Sequence, residues 1–288
     1  MIGVFDSGSG GLTILDALHR HMPEQDFLYL GDHANAPYGH RSNEQIVEMT
    51  RTNIRTLFEA GCSLVVLACN TAAAVALRTL QQQWLPEAYP DRRILGVLVP
   101  MVEAITGVPW SQQHPGEVIS QTPRKTILLF ATQKTVSSGA YLEEVAKRAP
   151  NIRLVQKACP GLVDAIEGAS GPRPLAGLIE GYVAEALEDA GTRPDAALLG
   201  CTHFPLVRSY FEQALPQGME LLSQPYVVAN SLADYLRRHP ELRAHADRED
   251  VRKGIGKVRL LTSGRPGDVN LSGRYLPPHL CEFEGIEA

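Results

Sequence analysis

Twice along this chain a short, wholly apolar run ends on a small residue, a cysteine and then polar side chains. The first is Leu64-Val65-Val66-Leu67-Ala68-Cys69-Asn70-Thr71, the second Ala196-Ala197-Leu198-Leu199-Gly200-Cys201-Thr202-His203. Runs of this length without polar alternation suit strands covered on both faces, as in parallel sheets flanked by helices. The two cysteines lie 201 − 69 = 132 residues apart, close to half of the 288-residue chain. The repetition predicts two α/β halves of similar plan, each with a thiol in the equivalent place.

The rest of the pattern agrees. Residues 2–5, 27–30, 63–68 and 94–98 read as strands, with helical periodicity after residue 12, over 46–58 and over 71–80. The rhythm restarts with strands at 125–130, 152–155 and 196–199 and with helices from 141 and over 177–190. Such βαβα alternation argues for mainly parallel sheets with helices on both faces. Residues 109–122 read as a long polar surface loop, and the charged stretch 237–252 as a solvated helix.

Composition narrows the function. Hydrophobic residues make up 44% of the chain and charged residues 20%, so it can fill a packed core and is not a disordered type. Lys and Arg number 27 against 32 Asp and Glu, a net charge of −5, which argues against a nucleic-acid partner. No apolar run of about 18 residues offers a membrane span, and an acidic residue as early as Asp6 does not suit a secretion signal. The five cysteines are odd in number and include no C-x-x-C pair, which fits reduced thiols in a cytoplasm rather than a disulfide framework or a zinc site. Cys62, Cys159 and Cys281 lack the flanking pattern of the other two and read as structural.

In open α/β sheets ligands bind beyond the carboxyl ends of the strands, where Cys69 and Cys201 both fall. Each is read as preceding a helix, whose free N–H groups favour a thiolate. If the halves face each other, one thiolate can remove a proton from a carbon and the opposite thiol can return one to its other face. Further candidates surround them. The turn Asp6-Ser7-Gly8-Ser9-Gly10-Gly11 can bring backbone N–H groups to an anion. It matches a dinucleotide fingerprint only in part, because Thr13 replaces the third glycine, though Asp32 stands near the place of a ribose-binding acid. Tyr38 and Gly39 form a turn with an aromatic hydroxyl, Thr132 and Thr135 a hydroxyl-rich loop, and Glu167 and His203 add titratable groups.

On these segments the chain resembles the glutamate racemases of the cofactor-independent aspartate/glutamate racemase superfamily. The resemblance rests on the stretches 3–8, 10–13, 31–32, 37–39, 68–72, 135–141, 159–160 with Glu167, and 199–203, in order over roughly residues 1–265. It implies interconversion of L- and D-glutamate without pyridoxal phosphate or metal, the D-glutamate serving peptidoglycan in the cell wall. It implies Cys69 and Cys201 as the acid/base pair, Cys69 acting on the D- and Cys201 on the L-enantiomer. Asp6 and His203 are implied as their polar helpers, with Glu167 beside His203. Substrate contacts would come from Asp6, Ser7, Tyr38, Gly39, Asn70, Thr71, Thr202 and His203, and from Thr132 and Thr135. A soluble cytoplasmic enzyme with a small-molecule substrate is implied, and a homodimer is a common assembly of the family. The implied fold is two similar α/β domains, each a mainly parallel sheet flanked by helices, with the active site in the cleft between them. Residues 1–98 with 209–288 would form one domain and 99–208 the other.

The chain departs from the family pattern at His33-Ala34-Asn35-Ala36, where an arginine is frequent, and at Val99-Pro100, Ala131 and the loop 109–122. Three readings compete with glutamate racemisation. One is a racemase of aspartate or another acid. The others are an NAD-dependent oxidoreductase using Gly8, Gly10 and Asp32, and a thiol redox sensor without turnover.

Overall fold

The computed structural model describes residues 1–109, 124–168, 170–242, 256–269 and 282–286. They form two compact units, Met1–Val97 with Pro225–Ala288 and Leu98–Gln224.

In chain order the strands are β1 (Ile2–Asp6), β2 (Phe27–Gly31), β3 (Leu64–Leu67), β4 (Arg93–Gly96) and β5 (Lys125–Ala131). They continue with β6 (Ile152–Ala158), β7 (Ala196–Gly200), β8 (Glu220–Ser223), β9 (Val258–Thr262) and β10 (Glu284–Gly285). The first unit holds a six-stranded sheet ordered β10-β9-β2-β1-β3-β4, the second a four-stranded sheet ordered β6-β5-β7-β8. Every pairing is parallel. β1, β2, β3 and β7 are buried along their whole length, which is why they read as unbroken apolar runs.

The order β2-β1-β3-β4 of the first sheet recurs as β6-β5-β7-β8 in the second. β3 and β7 therefore hold equivalent places, and so do the residues after them, Cys69 and Cys201. The repeat seen in the sequence is a repeat of topology. The first sheet differs by adding β9 and β10 beyond β2, supplied by the returning end of the chain.

The first division between the units falls between Val97 and Leu98. The second division falls between Gln224 and Pro225, after β8, which pairs with β7 along Ala196↔Glu220 to Leu199↔Ser223. The strand expected at 94–98 ends at Gly96, and a helix, Leu98–Thr106, begins at once. The helix expected over 71–80 is broken into Asn70–Val75, Leu77–Thr79, a π-helical turn at Leu80–Trp84, and Leu85–Ala88. Of the stretch 237–252 read as a helix, Arg237 and Arg238 end the helix Gln224–Arg238 and a 3₁₀ turn follows at Pro240–Leu242; residues 243–255 lie outside the described ones, as do 110–122 of the expected loop and Cys281.

The helix Asn43–Glu59 starts at a capping box. Gln45 N–H donates to Ser42 Oγ at 3.2 Å, and Ser42 N–H to Gln45 Oε1 at 3.0 Å. That fixes its register so that Ile46, Ile54, Leu57 and Phe58 enter the core, and Asn53 reaches the end of β2. No helix among the described residues is long and apolar enough to cross a membrane.

Candidate active site

Cys69 sits at the carboxyl end of β3 and caps the helix Asn70–Val75. Its Sγ accepts Ala72 N–H at 3.4 Å and lies 3.2 Å from Ser7 Oγ. Ser7 N–H is a further donor to the same sulfur. Ser7 can reach it because β1 pairs with β3 up to Phe5↔Leu67, so the turn after β1 rises beside the end of β3. Burial pushes the Cys69 thiol up, and the Asp6 carboxylate pushes it further; the Ser7 hydroxyl, Ala72 N–H and Ser7 N–H oppose them, and the balance is about 12. The resting form at neutral pH is therefore the thiol. The three donors stabilise a thiolate only when it forms, as a site for transient charge requires.

Asp6 is fully buried, and its Oδ2 accepts Gly8 N–H at 3.1 Å. Gly11 has to be glycine here: a Cβ would stand 2.5 Å from Asp6 Cβ. Tyr38 is buried, and its hydroxyl donates to Asp32 Oδ2 at 2.6 Å. Burial is the largest cause raising its pKa, and Asp32, then the Cys69 and Asp6 charges, add to this. Asn70 and Thr71 are buried in the first turn after Cys69. Gly39 follows in the short 3₁₀ turn Tyr38–His40, with open space where a Cβ would be.

Asp32 is buried and its carboxylate is taken up by hydrogen bonds within the protein. Its two oxygens accept Asn35 Nδ2 at 2.9 and 3.1 Å, Tyr38 Oη, Asn53 Nδ2 at 3.0 Å and Ser263 Oγ at 2.5 Å. This fully buried carboxylate is spent on holding three segments together at the end of β2. The sequence feature behind the oxidoreductase reading is thus a structural knot.

In the second unit Cys201 follows β7, buried at 5% exposure. The helix expected directly after it is displaced. Pro205 lies in a 3₁₀ turn, Phe204–Val207, and the α-helix Arg208–Ala214 begins only after it. Cys201 has a histidine partner instead. His203 is buried, hydrogen-bonds the Cys201 side chain, and places Nε2 2.8 Å from Glu167 Oε1. Burial alone would lower the imidazole pKa, but the contacts to Cys201 and Glu167 outweigh it and raise the value to about 10. A protonated His203 supplies a positive charge against which a thiolate can form. Glu167 ends the helix Leu162–Glu167, which starts from Gly161 in the left-handed conformation, φ 76°.

Thr132 and Thr135 lie after β5, beside β7 through the pairing Ala131↔Gly200. Thr132 caps the helix Gln133–Ser137 by accepting Thr135 N–H at 3.3 Å, and the two hydroxyls are 3.0 Å apart. Thr202 is buried next to Cys201. Each unit thus collects its own share: Asp6, Ser7, Tyr38, Asn70 and Thr71 around Cys69, and Glu167, Thr132, Thr135, Thr202 and His203 around Cys201.

The chain is 45% identical over 270 residues to a glutamate racemase of Roseobacter denitrificans, covering 93% of each chain. It is 46% identical over 275 residues to a glutamate racemase of Phenylobacterium zucineum, covering 93% of this chain and 94% of that one. The chain belongs to the glutamate racemase family. Among solved structures it resembles a glutamate racemase of Thermus thermophilus in complex with β-chloro-D-alanine, with 30% identity, a TM-score of 0.75, and 99% and 96% of the two chains covered. No family model matches.

In this glutamate racemase family member, further side chains lie close to the candidate residues. The Cys159 thiol is buried, which raises its pKa, and it interacts electrostatically with Cys201. Tyr141 does so too, and its hydroxyl accepts Gln224 Nε2 at 3.3 Å. Asn35, Asn53 and Ser263 surround Asp32. Of these only Asn35 had a local signal, lying three residues from Asp32 in the stretch where the family pattern breaks.

Proposed function

We propose that this chain interconverts L- and D-glutamate by proton transfer at Cα, with Cys69 and Cys201 as the two acid/base groups. The observation that supports this most is the placement of the two thiols. They follow topologically equivalent strands in two sheets of the same order, and each is surrounded by donors suited to a transient thiolate.

The two surroundings differ in a way that suits an exchange. Around Cys69, burial and Asp6 keep the proton on sulfur. Around Cys201, protonated His203 supplies a countercharge, and Glu167 holds it protonated. In the direction L to D, Cys201 as thiolate removes the Cα proton and the Cys69 thiol donates one; in the reverse direction the roles exchange. Hydroxyl and N–H donors among Ser7, Asn70, Thr71, Thr132, Thr135 and Thr202 are the groups proposed to hold the carboxylates and the developing carbanion. The Cα proton is a very weak acid, so these contacts must tighten as charge develops. D-glutamate made this way would serve peptidoglycan assembly, as the resemblance implies.

The test is racemisation of pure L-glutamate by the purified protein with no added cofactor, followed by circular dichroism. Optical activity should decay to zero, and Cys69→Ala and Cys201→Ala should each abolish the decay. Undiminished decay in either variant would overturn the assignment. L-aspartate in the same assay separates the rival acidic substrate: faster loss with aspartate would replace glutamate in the proposal.

A further inference from the structure

His33 falls in the stretch that departs from the family pattern, and the structure gives it a specific place. Its Nε2 lies 2.9 Å from Ser9 Oγ, in the turn between β1 and the helix Leu12–His21. Its Nδ1 lies 2.8 Å from Thr262 Oγ1, at the end of β9, and 3.1 Å from Gly31 O. A carbonyl can only accept, so Nδ1 carries the hydrogen and Nε2 accepts from the Ser9 hydroxyl. The ring is packed as well as bonded. Phe283 meets it edge-on, with centroids 5.4 Å apart at 89°. A Cβ on Gly31 would stand 2.4 Å from His33 Cε1 and 2.7 Å from Gly8 O, so turn, strand end and imidazole are in close contact.

The turn that His33 holds is the one that carries Ser7. Other ties of this turn are Tyr29 Oη donating to Gly8 O at 2.7 Å, Gly8 N–H to Asp6, and Ser7 itself on Cys69 Sγ. Two of the three donors on that sulfur, the hydroxyl and the N–H of Ser7, depend on where this turn sits. Ser9 and Thr262 are both buried, so a hydrogen bond lost at either end of the imidazole is not readily replaced by water.

We propose that His33 is a positioning residue for proton transfer at Cys69. It ties the Ser7–Ser9 turn to the returning strand β9 and so holds the Ser7 donors on the sulfur. The proposal rests on the reading of Cys69 as a proton-transfer group. It makes the end of the chain, through Thr262 and Phe283, part of what shapes this half of the site.

The experiment uses the full-length protein and steady-state racemisation of L-glutamate. His33→Ala and Ser9→Ala should each lower kcat about tenfold, with KM changed less than about threefold, the size expected when one buried hydrogen bond holding a turn is lost. The double variant should be no slower than His33→Ala alone, because both changes remove the same bond. His33→Gln, whose amide can reach Ser9 from the position of Nε2, should recover most of kcat, whatever its melting temperature. A wild-type kcat in His33→Ala would overturn the proposal. So would additive losses in the double variant, or a His33→Gln variant as slow as His33→Ala. Cys69→Ala in the same assay keeps the two readings apart. If it retains turnover, the acid/base assignment fails; if it is dead while His33→Ala is unimpaired, only the positioning role fails.

Discussion

Replacing Glu167 by Gln keeps the shape of the side chain and removes its charge. The partner, His203 Nε2, is 2.8 Å away and 6% exposed, whereas the Glu167 side chain is 39% exposed. A hydrogen bond to a charged group contributes about 1.5–3 kcal/mol. Half-exposure of the carboxylate places this one at the low end, about 1.5 kcal/mol. At about 1.4 kcal/mol per tenfold, the protonation equilibrium of His203 shifts by about a factor of ten, toward the neutral imidazole. The folded-state pKa of His203 is raised from 6.5 to about 10, so the contribution to stability is fully present below pH 6.5 and is lost as pH rises through the folded value. Urea unfolding of wild type and Glu167→Gln should therefore differ by about 1.5 kcal/mol at pH 6, and the gap should close toward pH 10. The His203 ring protons, followed by NMR, should titrate at lower pH in the variant. A gap that stays constant from pH 6 to 10, or an unshifted His203 titration, would refute the account of this pair.

Other perturbations follow the same logic. The Cys69 thiol is raised from 9.0 to about 12, so its contribution is lost as pH rises through that window; wild type should lose about 4 kcal/mol more stability than Cys69→Ala between pH 9 and 12 in urea unfolding. Tyr38→Phe removes the 2.6 Å bond to buried Asp32 and should lower stability by about 1–3 kcal/mol in the same assay. Gly11→Ala forces a Cβ to within 2.5 Å of Asp6 Cβ; it should cost about 1–3 kcal/mol and slow racemisation, and an unchanged rate would show that the turn tolerates the shift.

The parts of this fold that were legible in the sequence are those whose burial is complete. β1, β2, β3 and β7 are covered on both faces and read as apolar runs, and Cys69 and Cys201 directly follow two of those runs. β9 and β10 carried no such signal. Val258-Arg259-Leu260 alternates, Arg259 lies exposed and pairs with Glu284, and β10 has two residues, both exposed. β8 begins with an exposed Glu220 and has one buried residue, so its pairing with β7 leaves no apolar run in the sequence. In the site, Asp32 was visible as an acid at a strand end, but its role was not. Two of its partners, Asn53 and Ser263, come 21 and 231 residues later in the chain. His33 is hidden for the same reason: its bond to Thr262 spans 229 residues. Hydrogen bonds between distant segments leave no periodicity to read.

Racemisation of L-glutamate in deuterated water, stopped after a few per cent conversion, tests the central claim most directly. With two thiols, each serving one face of Cα, essentially every D-glutamate molecule should carry deuterium at Cα, while the recovered L-glutamate keeps its protium. D-glutamate that retains a substantial share of the original proton would mean that one group removes and returns it, and the two-thiol account would be contradicted.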